Sequence, residues 1–125
     1  MYHPVLRCLI VDGNFLIGLD LEEILRSLNF NGIHRATNFA QAAAALEAES
    51  YALVFIDLEL DRDKVAQLTE LAAVNGAECI FTSTDFDGHE YPVATSKASR
   101  LTKPYSPAAI KSIVNSIATI GTERD

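Results

Sequence analysis

Two kinds of apolar pattern alternate along the chain. Val5 to Val11 is an almost continuous apolar run, rich in branched residues and interrupted by Arg7, and Ala52 to Ile56 is a second. Unbroken runs of this length predict strands covered on both faces, since a half-exposed strand would alternate apolar with polar residues. Between them Asn14 offers a helix N-cap, and Phe15, Leu16, Leu19, Ile24, Leu25 and Leu28 follow before a break at Asn29 to Gly32. Ile33 to Thr37 predicts a short second strand, and alanine-rich Phe39 to Glu49 predicts a helix by propensity. Val65 to Val74 repeats the helical pattern, and Glu78 to Phe81 predicts another strand after the Asn75-Gly76 break. A fifth strand is expected just before Lys103. Ser106 is then an N-cap with proline at the first helical position, and Ile110, Ile113, Val114 and Ile117 fall on one helical face.

Strands and helices in this order predict one doubly wound α/β domain over residues 1–125, with a core from about 5 to 119 and helices on both faces of a parallel sheet. The alternation is disturbed once. Asp85 to Lys97 stands where a helix is due but carries Gly88 and Pro92, so the fourth helix is expected to be short or irregular. Phe15, Leu16, Leu19, Ile110, Ile113 and Ile117 are assigned to the core. Cys8 and Cys79 lie in strand-like apolar runs and are also read as core, with no disulfide. After Ile120 the sequence holds only Gly121 to Asp125, so no output domain is expected there.

Charge narrows the function classes. With 10 Lys and Arg against 17 Asp and Glu, the net charge is −7, which disfavours nucleic acid as a partner because phosphate contacts need clustered cations. No apolar run approaches the roughly 20 residues that cross a bilayer, and the start carries no basic segment followed by an apolar one, so a cytoplasmic location is expected. His3, His34 and His89 are scattered without metal-ligand spacing, and no zinc site is expected. Gly18 is followed by Leu19 and Asp20 rather than by Lys and Ser or Thr, which rules out a phosphate-binding loop of the nucleoside-triphosphate kind.

The candidate chemistry lies at strand ends. Asp12 ends the first strand, Asp57 the third and Ser83 the fourth, while Lys103 follows the fifth with Pro104 stiffening its turn. In a doubly wound sheet all four emerge at the carboxyl edge, where such folds bind ligands. Two carboxylates there suit a hard cation. The set as a whole suits capture of a phosphoryl group, with a cation and Lys103 neutralising its charge while Asp57 attacks.

Four segments carry a resemblance: Leu9-Ile10-Val11-Asp12, Leu53-Val54-Phe55-Ile56-Asp57, Ile80-Phe81-Thr82-Ser83 and Leu101-Thr102-Lys103-Pro104-Tyr105. In order and spacing they resemble the signatures of response-regulator receiver domains, the CheY-like superfamily of two-component signalling. The resemblance implies a flavodoxin-like sheet in the order 2-1-3-4-5. It implies that Asp57 is the phosphoacceptor, Asp12 and Asp57 ligands of Mg²⁺, Lys103 the lysine that binds phosphoryl oxygens, and Ser83 the hydroxyl that follows the phosphoryl group. It also implies a histidine kinase or phosphotransfer protein as donor and a downstream protein as target, with no catalytic turnover; a homodimer is one arrangement open to it.

The sequence departs from that pattern in several places. The second acid expected after Asp12 is Gly13, which predicts weakened Mg²⁺ binding. Glu59, two residues past Asp57, is the candidate replacement ligand, with Asp61 second to it. Thr84 replaces a small residue beside Ser83, Arg100 stands where an aromatic switch is usual, and Asp61 and Val65 take the places of the customary proline and glycine. The alternative function is therefore a pseudo-receiver, a protein-interaction module that works without phosphorylation. A metabolic enzyme on the same fold is a third class.

Overall fold

Along β1 (Arg7–Val11) and β3 (Leu53–Asp57) successive side chains enter opposite faces of a sheet, and both faces are buried. Leu9, Val11, Val54 and Ile56 pack on one side with Ala42 and Leu46 of α2 (Phe39–Ala48) and Val65, Leu68 and Ala72 of α3 (Arg62–Val74). Cys8, Ile10, Leu53 and Phe55 pack on the other with Leu21 and Leu25 of α1 (Phe15–Ser27) and Ile110 of α4 (Pro107–Glu123). With β2 (Gly32–Ala36), β4 (Glu78–Ser83) and β5 (Ser99–Thr102) the sheet is parallel throughout, in the order β2-β1-β3-β4-β5. This is the three-layer, doubly wound arrangement that the alternation of patterns predicts. The coordinates are a computed structural model that describes residues 7–30, 32–84 and 99–123. The expectations for Asp85 to Lys97, for His3 and His89, and for the Ile117 side chain lie outside the described residues.

Local chemistry sets the helix ends. Asn14 caps α1 by accepting from the Ile17 amide at 3.1 Å, and Ser106 caps α4 by accepting from the Ala109 amide at 3.3 Å. At the far end of α1, Asn29 adopts φ 71°, and the amides of Asn29 and Phe30 return to the carbonyls of Arg26 and Leu25. The same pair of reverse bonds closes α3, where Gly76 at φ 76° and Ala77 donate to Ala73 and Ala72. Both are Schellman closures, which need a residue tolerant of the left-handed region at that point. Both cysteines are free thiols, and burial raises them to about 12 for Cys8 and about 11 for Cys79. No helix among the described residues is long and apolar enough to cross a membrane.

One part of the assigned core is not core. Phe15 is 58% exposed and Leu16 72%, whereas the buried stripe of α1 runs through Gly18, Leu21 and Leu25. The first turn of α1 starts beyond the carboxyl ends of the strands, so it has no sheet beneath it. The Phe15 ring is instead covered by the Arg35 guanidinium, 4.4 Å from its centroid. Leu19 and Ile113 are half-buried, and Ile110 is fully enclosed.

Candidate functional site

Strand register brings the predicted residues to one place. Val11 pairs with Ile56, so Asp12 and Asp57 leave the sheet side by side. Asp57 pairs with Thr82 and Ser83 with Thr102, which sets Ser83 and then Lys103 further along the same edge. The Lys103 amide donates to the Ser83 carbonyl at 2.9 Å, and the Lys103–Pro104 peptide bond is cis. Asp12, Asp57, Ser83 and Lys103 are all buried.

The lysine ammonium lies between the two acids, with Nζ 2.9 Å from Asp12 Oδ2 and 3.0 Å from Asp57 Oδ1. Backbone amides hold the carboxylates in place: Asn14 donates to Asp12 Oδ1 at 2.8 Å, and Glu59 donates to Asp57 Oδ1 at 3.0 Å. Burial pushes the Asp57 carboxyl above its ordinary range, opposed by the Glu59 amide and by Lys103 and reinforced by the charge of Asp12. Burial alone would lower the Lys103 ammonium, but hydrogen bonds and charges of both acids outweigh it and hold the group above its ordinary value. The lysine therefore stays protonated at neutral pH.

Two carboxylates converging on one cation is also the donor set of a hard-metal site, and the residues fit Mg²⁺ in that limited sense. Asp12 Oδ2 is buried and faces the Lys103 ammonium at 2.9 Å, so a cation bound there would share this oxygen with the lysine. Mg²⁺ commonly uses one or two carboxylates and keeps several waters. A third acid is not gathered here: among the described residues no group of three or more acids, histidines or cysteines is placed to hold a metal. Gly13 supplies none, although a Cβ there would meet only the Thr37 carbonyl at 3.7 Å. Glu59 is exposed, and its Oε1 accepts from the Thr84 hydroxyl at 3.2 Å. Asp61 caps α3 through its own side chain, accepting from the Asp63 amide at 2.9 Å.

Beside Asp12 is a cavity of ≈ 130 Å³ lined by Ile10, Asp12, Asn14, Phe15, Arg35 and Thr37. Reading the sequence for strand-end acids misses Arg35, which reaches this wall from β2. Its Nε lies 2.9 Å from Glu22, and its Nη1 donates to the Phe15 carbonyl at 3.2 Å. The signal was a charged residue on a five-residue strand just before the strand's end.

No family model matches the sequence, and no curated protein matches it. Solved structures do. A CheY-like receiver domain from Methylobacillus flagellatus is 23% identical, with a TM-score of 0.78 over 91% of this chain and 99% of its own. A receiver domain from Methanospirillum hungatei JF-1 is 21% identical, with a TM-score of 0.74 over 96% and 99%. Vibrio cholerae CheY4 is 13% identical, with a TM-score of 0.76 over 91% and 99%. The chain has the fold of CheY-like response-regulator receiver domains.

Proposed function

We propose that the chain is a receiver of the response-regulator kind, which takes a phosphoryl group on Asp57 and passes the signal on through protein contacts. The observation that carries this reading is the Lys103 ammonium held between Asp12 and Asp57, with Ser83 at the next strand end. Asp57 Oδ1 is occupied by the Glu59 amide and Lys103, so Oδ2 is the oxygen left to attack. As its bond to phosphorus forms, the phosphorus–nitrogen bond of a phosphohistidine on a histidine kinase or phosphotransfer protein breaks, and the imidazole leaves with the electron pair. Lys103 is then close enough to follow the phosphoryl oxygens, and the Ser83 hydroxyl can hydrogen-bond one of them. Mg²⁺ held by Asp12 and Asp57 would neutralise phosphoryl charge when bound.

A second reading is favoured by a specific feature. Gly13 withholds an acid, and Lys103 already neutralises one of the two carboxylate charges, so part of the pocket's charge is balanced without metal or phosphate. That describes a pseudo-receiver, which binds a partner constitutively.

Intact mass after incubation with acetyl phosphate and Mg²⁺ separates the two. One phosphoryl group, absent from Asp57→Ala and from the metal-free sample, is the expected result. No adduct would overturn the phosphoacceptor reading in favour of the pseudo-receiver. Gly13→Asp, for which there is room, then tells whether the missing acid is the reason.

A further inference from the structure

Glu59 and Thr84 belong to different loops and meet over the site. The Glu59 amide is fixed to Asp57, so its side chain starts beside the phosphoacceptor, yet its carboxylate is hydrogen-bonded to Thr84. Thr84 directly follows β4, and β4 flanks β3 on one side while β1, which carries Asp12, flanks it on the other. A cation touching both Asp12 and Asp57 would lie between the ends of β1 and β3, whereas Thr84 draws the Glu59 carboxylate toward the end of β4. The Glu59 carboxylate is therefore held on the wrong side of Asp57 to serve as its third ligand.

We propose that Thr84 is a positioning residue, a latch that keeps Glu59 on the β4 side of Asp57, and that a divalent cation gains a third carboxylate only by drawing Glu59 away from Thr84. The inference rests on the phosphoacceptor reading and deepens it. The two positions of Glu59 exclude one another, so the hydrogen bond to Thr84 weakens metal binding by whatever it contributes in the metal-free protein. By linkage, the bound metal loosens the Thr84 contact to the same degree. Thr84 adjoins Ser83, so a displacement of Ser83 toward a phosphoryl group also disturbs the latch and releases Glu59 toward the metal. The substitution of a small residue by Thr84 and the loss of an acid at Gly13 are then parts of one arrangement: a weakened metal site that tightens once Ser83 moves.

Calorimetric titration of the full chain with Mg²⁺ tests this, with thermal melting as a check that each variant folds. Thr84→Ala is expected to tighten Mg²⁺ about fivefold, the worth of one ordinary hydrogen bond. Thr84→Ser keeps the hydroxyl and should behave as the parent. Glu59→Gln should bind no more tightly than the parent, and the double variant should match Glu59→Gln, because the gain requires the carboxylate. An unchanged Thr84→Ala, an undetectable Mg²⁺ heat in Thr84→Ala, or a gain that persists in the double variant would each overturn the latch. Phosphorylation of Asp57 is read separately by mass. A null titration with a phosphorylated Asp57 removes the latch alone, whereas tightening without an adduct removes the phosphoacceptor reading alone.

Discussion

Two groups of paired polar side chains sit on this sheet in opposite relations to water. At the carboxyl edge Lys103 lies within 2.9 Å of Asp12 and 3.0 Å of Asp57, and all three side chains are 2–6% exposed. At the opposite end of β1, Arg7 lies 3.2 Å from Glu49, and His34 Nδ1 lies 3.7 Å from the same carboxylate, with side chains 38–49% exposed. The distances are alike, but the energetics are not. Charges in water are screened and lose little when separated. Charges out of water have already lost their hydration and depend on each other for what replaces it. The exposed group is balanced with or without its partners, whereas the buried group is an unfavourable arrangement held together by one lysine. A chain selected for stability alone would place apolar residues there, which is the physical reason for reading the site as functional.

The largest consequence concerns Lys103. Lys103→Met keeps the apolar stem but leaves two buried carboxylates facing each other, and is expected to lower stability by about 3 kcal/mol, or on the order of 10 °C in Tm. The effect has a pH signature. The folded-state value of Lys103 lies above its ordinary 10.5, so its contribution is fully present below that pH and is lost as pH rises through the folded value. Alkaline titration should therefore weaken the parent toward the variant. Denaturant unfolding from pH 7 to 12 checks this, and a variant as stable as the parent at pH 7 would contradict the buried-charge account.

Asp57 should respond in the opposite direction. Burial raises its carboxyl above the ordinary 3.8, so the folded protein holds that proton more tightly than the unfolded chain does. The stability this group contributes is present below 3.8 and is lost as pH rises through the folded value. At neutral pH the ionised Asp57 is a burden. Asp57→Asn keeps an oxygen for the Glu59 amide while removing the charge, and is expected to stabilise the fold at pH 7 by on the order of 1 kcal/mol. The gain should shrink toward zero as the pH is lowered past 3.8. A less stable Asp57→Asn at pH 7 would mean that the lysine needs both acids.

The contrast also explains what could be read in the sequence. β1 and β3 announce themselves because a strand buried on both faces must be apolar throughout, and their ends then place Asp12 and Asp57. Asn14 and Ser106 are legible as caps because capping is local chemistry. Phe15 and Leu16 misled because apolar residues at the start of an apolar helix look like core, while their exposure depends on where the sheet ends beneath them. The partners of Lys103 follow from strand order and register, but the side that Glu59 takes does not. It depends on a hydrogen bond to a residue 25 positions away, and spacing holds no information about that.

The smallest effect belongs to the exposed group and is the control for the comparison. Glu49→Gln removes the carboxylate that Arg7 and His34 share, while leaving Tyr51 to pair with His34 Nδ1 at 2.6 Å. At this exposure the loss should be about 0.5 kcal/mol or less, and should vanish in 1 M NaCl, where the Debye length falls to about 3 Å. The same salt should change the Lys103→Met deficit far less, because side chains only 2–6% exposed are largely shielded from the screening of bulk salt. Urea unfolding of both variants at low and high salt measures the two together. Equal losses, or equal sensitivity to salt, would mean that burial is not what distinguishes the carboxyl edge, and the functional argument built on its buried charge would lose its premise.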